Sequence, residues 1–210
     1  MKLLLKDPAS ITLEKLIKLI DRKEIIILLA GKRDVLLEDT QHLVALATLL
    51  AQRTEFTLFR SGNADGADSY FKEGVVSVDP ERFQAIIPFD EHMNSVKDVA
   101  ISYELISLES INLAKEGNVL YESKRIKKSQ GLVNSFLEGK DVRKRGSYLI
   151  RDTLMVTGAP NHGISPASFG IFYDDLRNPK SGGTGHTMGV CDNQHVQYLD
   201  QRVWMNWLPR

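Results

Sequence analysis

The sequence contains a single cysteine, Cys191, among its 210 residues. A lone thiol excludes an internal disulfide and a thiolate zinc cluster, and so little cysteine indicates a reducing compartment. The five histidines show no metal-ligand spacing, so we expect neither a metal site nor a cofactor. We therefore expect a cytoplasmic protein whose fold depends on its apolar core.

The sequence also lacks an excess of charge and a long apolar run. Its 27 Lys and Arg residues balance 27 Asp and Glu residues, so no overall field attracts nucleic acid or acidic lipid. Any charged partner must therefore bind at a local site. The first apolar run ends at Lys6 and Asp7, too early for a secretory signal, and about 18 consecutive apolar residues occur nowhere. We expect a soluble protein without membrane association.

Helix-like and strand-like apolar patterns alternate along the chain. The patterns predict helices at 10–22, 38–52, up to about 76, about 98–115, in pieces over 129–157, and about 184–191. Strands are predicted at 25–30, 56–59, 85–87, 168–173 and 196–199. This alternation predicts an α/β protein with a three-layer Rossmann-like fold and a mainly parallel central sheet. The length suits a single domain over 1–210, with 1–23 as an N-terminal helical extension and 200–210 as a C-terminal tail.

Two Gly-rich segments, Arg60–Asp68 and Ser181–Thr187, each follow a predicted strand and precede a predicted helix. Glycines permit tight turns and close approach of a ligand, and free N–H groups at a helix start attract anions. Because ligands of open parallel sheets bind at the carboxyl ends of strands, we expect both segments to face one phosphate-binding pocket. The alternative is that both are ordinary tight turns. Neither segment matches the P-loop or the dinucleotide fingerprint, which argues against ATP hydrolysis and NAD-dependent hydride transfer.

Five motifs occur in a recognisable order over residues 25–200. They are Ala30–Arg33, Arg60–Asp68, Pro88 with His92, Arg151–Gly158 and Ser181–His186. This order resembles the SLOG superfamily of Rossmann-like domains, which includes the DNA-processing protein A group, the LOG or lysine-decarboxylase-like group, and small bacterial and phage proteins. The resemblance implies binding of a nucleotide or nucleotide-derived phosphate ligand, as a sensor or a hydrolase. The residues predicted to bind it are Gly31, Arg33, Arg60, Ser61, Gly62, Asn63, Ala64, Gly66, Asp68, Arg151, Gly182, Gly183, Thr184, Gly185 and His186.

The residues for catalysis are less well defined by the motifs. LOG-type phosphoribohydrolases cleave the N-glycosidic bond of nucleoside monophosphates and carry Pro-Gly-Gly-x-Gly-Thr-x-x-Glu, but here Gly189 stands in place of the glutamate. A carboxylate that such a mechanism needs is therefore missing. His186 and Asp68 are the candidates for proton transfer, with a structural histidine and a helix cap as the alternatives. Arg60 either clamps a phosphate or pairs with Asp68.

A local excess of basic residues suggests a second class of function. Residues 122–145 contain eight basic side chains against three acids; the bases are Lys124, Arg125, Lys127, Lys128, Lys140, Arg143, Lys144 and Arg145. We call residues 124–145 the basic segment. It predicts either single-stranded DNA binding of the DNA-processing protein A type or solvated helix faces. At the C-terminus, Trp204 and Trp207 suggest either a homo-oligomer contact or a cap on the chain's own sheet.

Overall fold

A computed structural model describes residues 1–95, 102–141 and 143–209 of the chain. Its helices are α1 (Leu13–Ile20), α2 (Thr40–Gln52), α3 (Ala67–Val76), α4 (Gly117–Arg125), α5 (Gln130–Leu137), α6 (Arg145–Thr157), α7 (Gly182–Gln194) and α8 (Gln201–Trp204). Its strands are β1 (Ile26–Gly31), β2 (Leu58–Ser61), β3 (Phe83–Ile87), β4 (Glu104–Ser107), β5 (Phe169–Tyr173) and β6 (Tyr198–Asp200). Several short 3₁₀ turns connect these elements.

The strands described here form one sheet in the order β4-β3-β2-β1-β5-β6. Every neighbouring pair is parallel. The central strands are buried on both faces, which explains why β1 and β5 are continuous apolar runs rather than alternating ones. The predicted α/β fold with a parallel central sheet is confirmed. The chain leaves β1 toward one edge and returns to β5 on its other side, so the strand order reverses between β1 and β5.

Helices cover both faces of the sheet and give the three layers that the alternation predicted. Successive β1 side chains point to opposite faces, as the strand period of two requires. Ile27 and Leu29 enter a core with α1, α2, α3 and α8. Leu28 and Ala30 enter a second core with α4, α5, α6 and α7.

Both ends of the chain pack into the domain. Leu16 and Ile20 of α1 are fully buried, and the Leu3 amide donates to the Ser168 carbonyl at 3.0 Å. At the other end, Trp204 is also fully buried, and its Nε1–H donates to the Phe172 carbonyl at 3.0 Å. Trp204 therefore caps its own sheet. Across the described residues, no helix is long and apolar enough to cross a membrane.

The helix predicted at about 98–115 is wrong over its described part. Residues 104–107 form β4, an edge strand paired with β3 in which Leu105 lies opposite Ala85 and Ile106 opposite Ile86. The apolar spacing of this short segment fits both a helix and a strand, and the unpaired edge of β3 decides between them. The beginning of the predicted helix, 98–101, lies outside the described residues.

Candidate ligand-binding site

A cavity of about 700 Å³ lies where the strand order reverses, at the carboxyl ends of β1 and β5. This is the position at which open α/β sheets bind ligands. Its walls come from the segment after β1, the first Gly-rich loop, the segment between α4 and α5, α6, and the start of α7. Its charged lining, within the described residues, consists of six cations and four carboxylates: Lys32, Arg33, Lys128, Arg145, Arg151 and Lys180, with Asp34, Asp68, Asp152 and Asp175. The excess of positive charge suits an anionic ligand.

The second Gly-rich loop presents free backbone donors to this cavity. The amide of Gly185 donates to the Ser181 carbonyl at 2.9 Å and begins the α7 hydrogen-bond pattern. The amides of Gly182, Gly183 and Thr184 donate to no acceptor in the described part of the chain, and the Ser181 side chain does not cap the helix. All three residues line the cavity. The first turn of α7 is therefore open to an anion, as helix N-termini are when no side chain caps them.

The first Gly-rich loop differs from the expectation, because the protein itself occupies several of its donors. The amide of Ala67, at the start of α3, donates to the Lys32 carbonyl at 3.1 Å. The Asp68 carboxylate accepts from the amides of Gly31 at 3.1 Å and Ala64 at 3.5 Å. Asp68 therefore makes no cap hydrogen bond to its own helix, and it joins the end of β1 to the loop.

Close packing explains two glycines of this region. An added Cβ at Gly31 would lie 2.6 Å from the Ala67 Cβ, because the start of α3 packs directly on the end of β1. Gly66 has a φ of +86°, and a Cβ there would lie 2.2 Å from the Arg33 carbonyl oxygen. Only glycine accepts both the conformation and the contact.

Arg151 stands at the centre of the site. It is 4% exposed, and its guanidinium Nη1 donates to the Gly62 carbonyl, which ties α6 to the first loop. Its Nε lies 3.1 Å from Asp152 Oδ1 but has no hydrogen-bond partner within the described chain. Burial raises the pKa of Asp68 and raises that of Asp152 to about 6, while the Arg151 charge opposes both shifts. One buried cation therefore serves two buried carboxyl groups.

His186 lies inside the wall of the cavity with both ring nitrogens engaged. Nδ1 is 2.7 Å from Ser129 Oγ, and Nε2 is 2.9 Å from Thr153 Oγ1. Thr153 donates its hydroxyl proton to the Leu149 carbonyl at 3.0 Å, so it accepts from Nε2–H. The neutral ring then has an acceptor at Nδ1, and the Ser129 hydroxyl donates to it at 2.7 Å in preference to the Ile126 carbonyl at 3.2 Å. This geometry supports a structural histidine that joins α5, α6 and α7, rather than a proton carrier.

The burial of His186 leads us to expect that the protein loses stability in acid. Burial lowers its pKa from 6.5 to about 4, so between these pH values the unfolded chain binds a proton that the folded chain does not. The free energy of unfolding therefore falls as the pH falls through this range. We expect wild-type protein to lose about 2 kcal/mol more than His186→Gln between pH 7 and pH 4.5, measured by urea unfolding. The raised pKa of Asp152 acts in the opposite direction in both proteins and cancels in the difference.

The matched control for this measurement is His42→Gln, because His42 lies at the surface, 47% exposed. This control should follow the wild-type protein at both pH values. Equal losses for wild type and His186→Gln would mean that His186 accepts a proton in the folded state.

Arg60 does not line the cavity, contrary to the sequence prediction. It is fully buried beneath α6, and its Nη1 donates to the Met155 carbonyl at 3.0 Å, one of the last carbonyls of that helix. Its Nε donates at 2.5 Å to Gln84 Oε1, and Gln84 donates in turn to Glu104. These three side chains stand at matched positions on β2, β3 and β4. Arg60 therefore caps α6 and joins it to the sheet.

Ten of the predicted ligand-binding residues line the cavity: Gly31, Arg33, Ala64, Asp68, Arg151, Gly182, Gly183, Thr184, Gly185 and His186. The remaining five do not line it: Arg60, Ser61, Gly62, Asn63 and Gly66. The sequence prediction missed Asp152 and Lys180 as lining residues, although Asp152 follows Arg151 directly in a quoted motif. No group of three potential metal ligands occurs among the described residues.

An aromatic cluster and the basic segment form the rim. Tyr148 packs edge-to-face with Phe89 at 5.8 Å and with His92 at 5.9 Å between ring centroids. The guanidinium groups of Arg33 and Arg151 lie 5.8 and 5.9 Å from the Tyr148 ring centre. All eight basic side chains of the basic segment are exposed, and two of them, Lys128 and Arg145, line the cavity. The basic segment is therefore continuous with the site.

Comparison with known proteins gives one distant structural likeness. A scan against protein-family models gives no match, and neither does a search of the curated proteins. Among solved structures, the chain is similar to DNA processing protein A from Helicobacter pylori, whose structural study describes a single-stranded DNA binding mode. The sequence identity is 16% and the TM-score 0.47, and the match covers 93% of this chain and 74% of that one.

Proposed function

We propose that this chain is a SLOG-like protein that binds a nucleotide or a nucleotide-derived phosphate ligand in the cavity between β1 and β5. One observation carries the proposal. The free amides of Gly182, Gly183 and Thr184 open into a cavity whose lining holds more cations than carboxylates in the described structure. Backbone donors and a helix dipole at the carboxyl ends of parallel strands are suited to a phosphate group.

The size and lining of the cavity suit more than an inorganic phosphate. At about 700 Å³ it lies within the range of small-molecule and cofactor sites. With the phosphate on the first turn of α7, Arg151 supplies countercharge from the lining, whereas the Lys180 ammonium is paired with Asp192 at 2.8 Å. Tyr148 lines the same cavity and supplies an aromatic surface for a base. Apolar and polar groups are thus available for each part of a nucleotide.

The surroundings of Gly189 argue against the phosphoribohydrolase alternative. A Cβ at Gly189 would lie 3.0 Å from Ile126 Cδ1, so Ile126 fills the space in which a longer side chain at this position would extend. The carboxylate of the LOG motif is absent and its place is taken by an apolar contact. We therefore propose ligand capture as the function, and turnover is tested separately by the release of free base or ribose phosphate from bound nucleoside monophosphates.

Ligand-induced stabilisation tests the proposal. Thermal unfolding of the full chain is followed in the presence of nucleoside mono-, di- and triphosphates. A nucleotide present at about 100 times its dissociation constant should add roughly 2.7 kcal/mol to the free energy of unfolding. In Gly183→Val we expect this stabilisation to disappear, because the valine side chain would cover the open amides. Its Cβ alone would lie 3.1 Å from Asp152 Oδ2.

Gly117→Val provides the matched control. Gly117 also lies in the first turn of a helix, α4, but an added Cβ there meets no atom of the described structure within 4 Å. This variant should keep the full ligand response. The proposal fails if no nucleoside phosphate stabilises the wild-type chain, or if Gly183→Val responds as wild type does.

A single-stranded nucleic acid is the second candidate ligand, favoured by the continuity of the basic segment with the cavity. Lys128 and Arg145 belong to the basic segment and also line the cavity. Lys144 lies 4.7 Å from the centre of the Phe89 ring, which packs against Tyr148. Cations interleaved with aromatic rings are the features that bind single strands. Retardation of a poly-pyrimidine strand in a mobility shift assay, weakening steeply with salt, would favour this ligand over a free nucleotide.

A further inference from the structure

Two buried carboxyl groups line the proposed phosphate cavity, and their environments differ. Both carboxylate oxygens of Asp68 accept hydrogen bonds from backbone amides, Oδ1 from Gly31 and Oδ2 from Ala64. Asp152 is 6% exposed, and no N–H or O–H group of the described residues donates to either of its oxygens. Its contact with a polar group is the ion pair of Oδ1 with Arg151 Nε at 3.1 Å. Asp152 therefore retains acceptor capacity that the fold does not use.

The position of this free acceptor is defined by α7. Asp152 Oδ2 lies 3.1 Å from the point that a Cβ of Gly183 would occupy, so the carboxyl group stands beside the open first turn of the helix. A phosphate bound to that turn would meet a like charge a few ångströms away. Such repulsion weakens binding unless the same ligand also offers a hydrogen-bond donor to the carboxyl group.

Buried polar groups of a binding site discriminate strongly between ligands that satisfy them and ligands that do not. A ligand for this cavity must carry an anion and, close to it, a donor such as a hydroxyl group. The ribose of a nucleotide meets this requirement, because its hydroxyl groups are attached to the same furanose ring whose 5′-carbon carries the phosphate. Acidic side chains accept from ribose hydroxyls in other Rossmann-type sites.

We propose that Asp152 accepts a hydrogen bond from a ribose hydroxyl of the bound nucleotide, which makes the site selective for the ribonucleotide over the deoxy form that lacks this hydroxyl. This inference rests on the proposed nucleotide-binding function and specifies its ligand class. Asp152 acts here as a specificity-determining residue, with Arg151 holding its carboxyl group in place through Oδ1.

Equilibrium binding of nucleoside 5′-monophosphates tests this inference. Wild-type protein is titrated with AMP, GMP, CMP and UMP and with their 2′-deoxy and 3′-deoxy forms. For the base that binds best, we expect the form lacking the contacted hydroxyl to bind about tenfold or more weakly. In Asp152→Ala this ratio should fall close to one. Asp152→Asn, which keeps the shape and a neutral acceptor, should show an intermediate ratio.

Asp175→Asn is the control, because Asp175 also lines the cavity but lies 3.8 Å from Lys32 and accepts from the Arg177 amide. It should keep the wild-type ratio. In the alternative, Asp152 only repels the anion and contacts no ribose hydroxyl. Asp152→Ala would then bind inorganic phosphate more tightly, and its ratio of ribonucleotide to deoxynucleotide affinity would equal that of wild type. That result, or equal wild-type affinity for all ribose and deoxyribose forms, overturns the inference. Absence of binding by every nucleotide overturns the proposed function itself.

Discussion

The Arg151→Leu variant is expected to lose about 3 to 5 kcal/mol of unfolding free energy near pH 8. Arg151 is the buried cation beside Asp152, and its guanidinium also holds the Gly62 carbonyl. Leucine would leave two buried carboxyl groups without countercharge and one carbonyl without its donor. Removing one member of a buried charge group is costly because the charges that remain stay desolvated.

The loss should depend on pH in a defined direction. Burial already raises the pKa of Asp68 and of Asp152, and removal of the Arg151 charge raises both further. The folded variant then binds protons at a higher pH than the unfolded chain does, so its loss of stability relative to wild type becomes smaller as the pH falls toward 5. The effect of His186 is common to both proteins and cancels in this difference. Urea unfolding of wild type and variant at pH 8 and pH 5 measures this change.

Arg145→Leu serves as the control for Arg151→Leu, since Arg145 lies on the same helix and lines the same cavity but is exposed. Its stability should stay within about 0.5 kcal/mol of wild type at both pH values. A stable Arg151→Leu variant at pH 8 would contradict the assignment of Arg151 as the countercharge of the cluster.

The second large effect is expected at Arg60. Arg60→Ala should lower the free energy of unfolding by about 3 to 5 kcal/mol, because it leaves a cavity under α6 and two acceptors, the Met155 carbonyl and Gln84 Oε1, without donors. Arg60→Met fills most of the volume and should lose less, about 2 kcal/mol, from the unsatisfied acceptors. Equilibrium unfolding in urea compares the two variants.

The Arg60 variants also separate a structural role from a ligand-binding role. Folded Arg60→Met should bind nucleoside phosphates as wild type does, because the side chain lies behind the cavity wall. Arg53→Ala, an exposed arginine at the end of α2, should change neither stability nor binding. Loss of nucleotide binding in a stable Arg60→Met variant would mean that Arg60 takes part in ligand binding.

Local patterns were sufficient to predict most of the fold. The continuous apolar runs of β1 and β5 indicate strands buried on both faces, and the helical spacing of α2 indicates the crossover between parallel strands. Such patterns extend over only a few residues, so they can be recognised without knowledge of the tertiary contacts. The segment that became β4 is the exception, because its spacing is ambiguous and the neighbouring strand edge determines its conformation.

The position of the candidate site could be predicted from the sequence, but the contacts within it could not. The strand–Gly-rich loop–helix order indicated that both loops lie at the carboxyl ends of strands, and both loops contribute to one cavity. Which loop has free amides depends on Asp68 and on the Lys32 carbonyl, which satisfy donors of the first loop. Likewise, the contact of Arg151 with Gly62 joins residues 89 positions apart.

The sequence by itself therefore determined the layered parallel fold and the end of the sheet that carries the site, since both follow from local periodicity and turn chemistry. Only the tertiary structure decided that Arg60 caps a helix, that Asp68 and the Lys32 carbonyl accept from donors of the first loop, and that Asp152 lines the same cavity as Lys128 and Arg145. The physical reason is that hydrogen bonding and burial depend on contacts between residues that are distant in the chain. The role of a side chain therefore depends on which of these residues the fold places beside it.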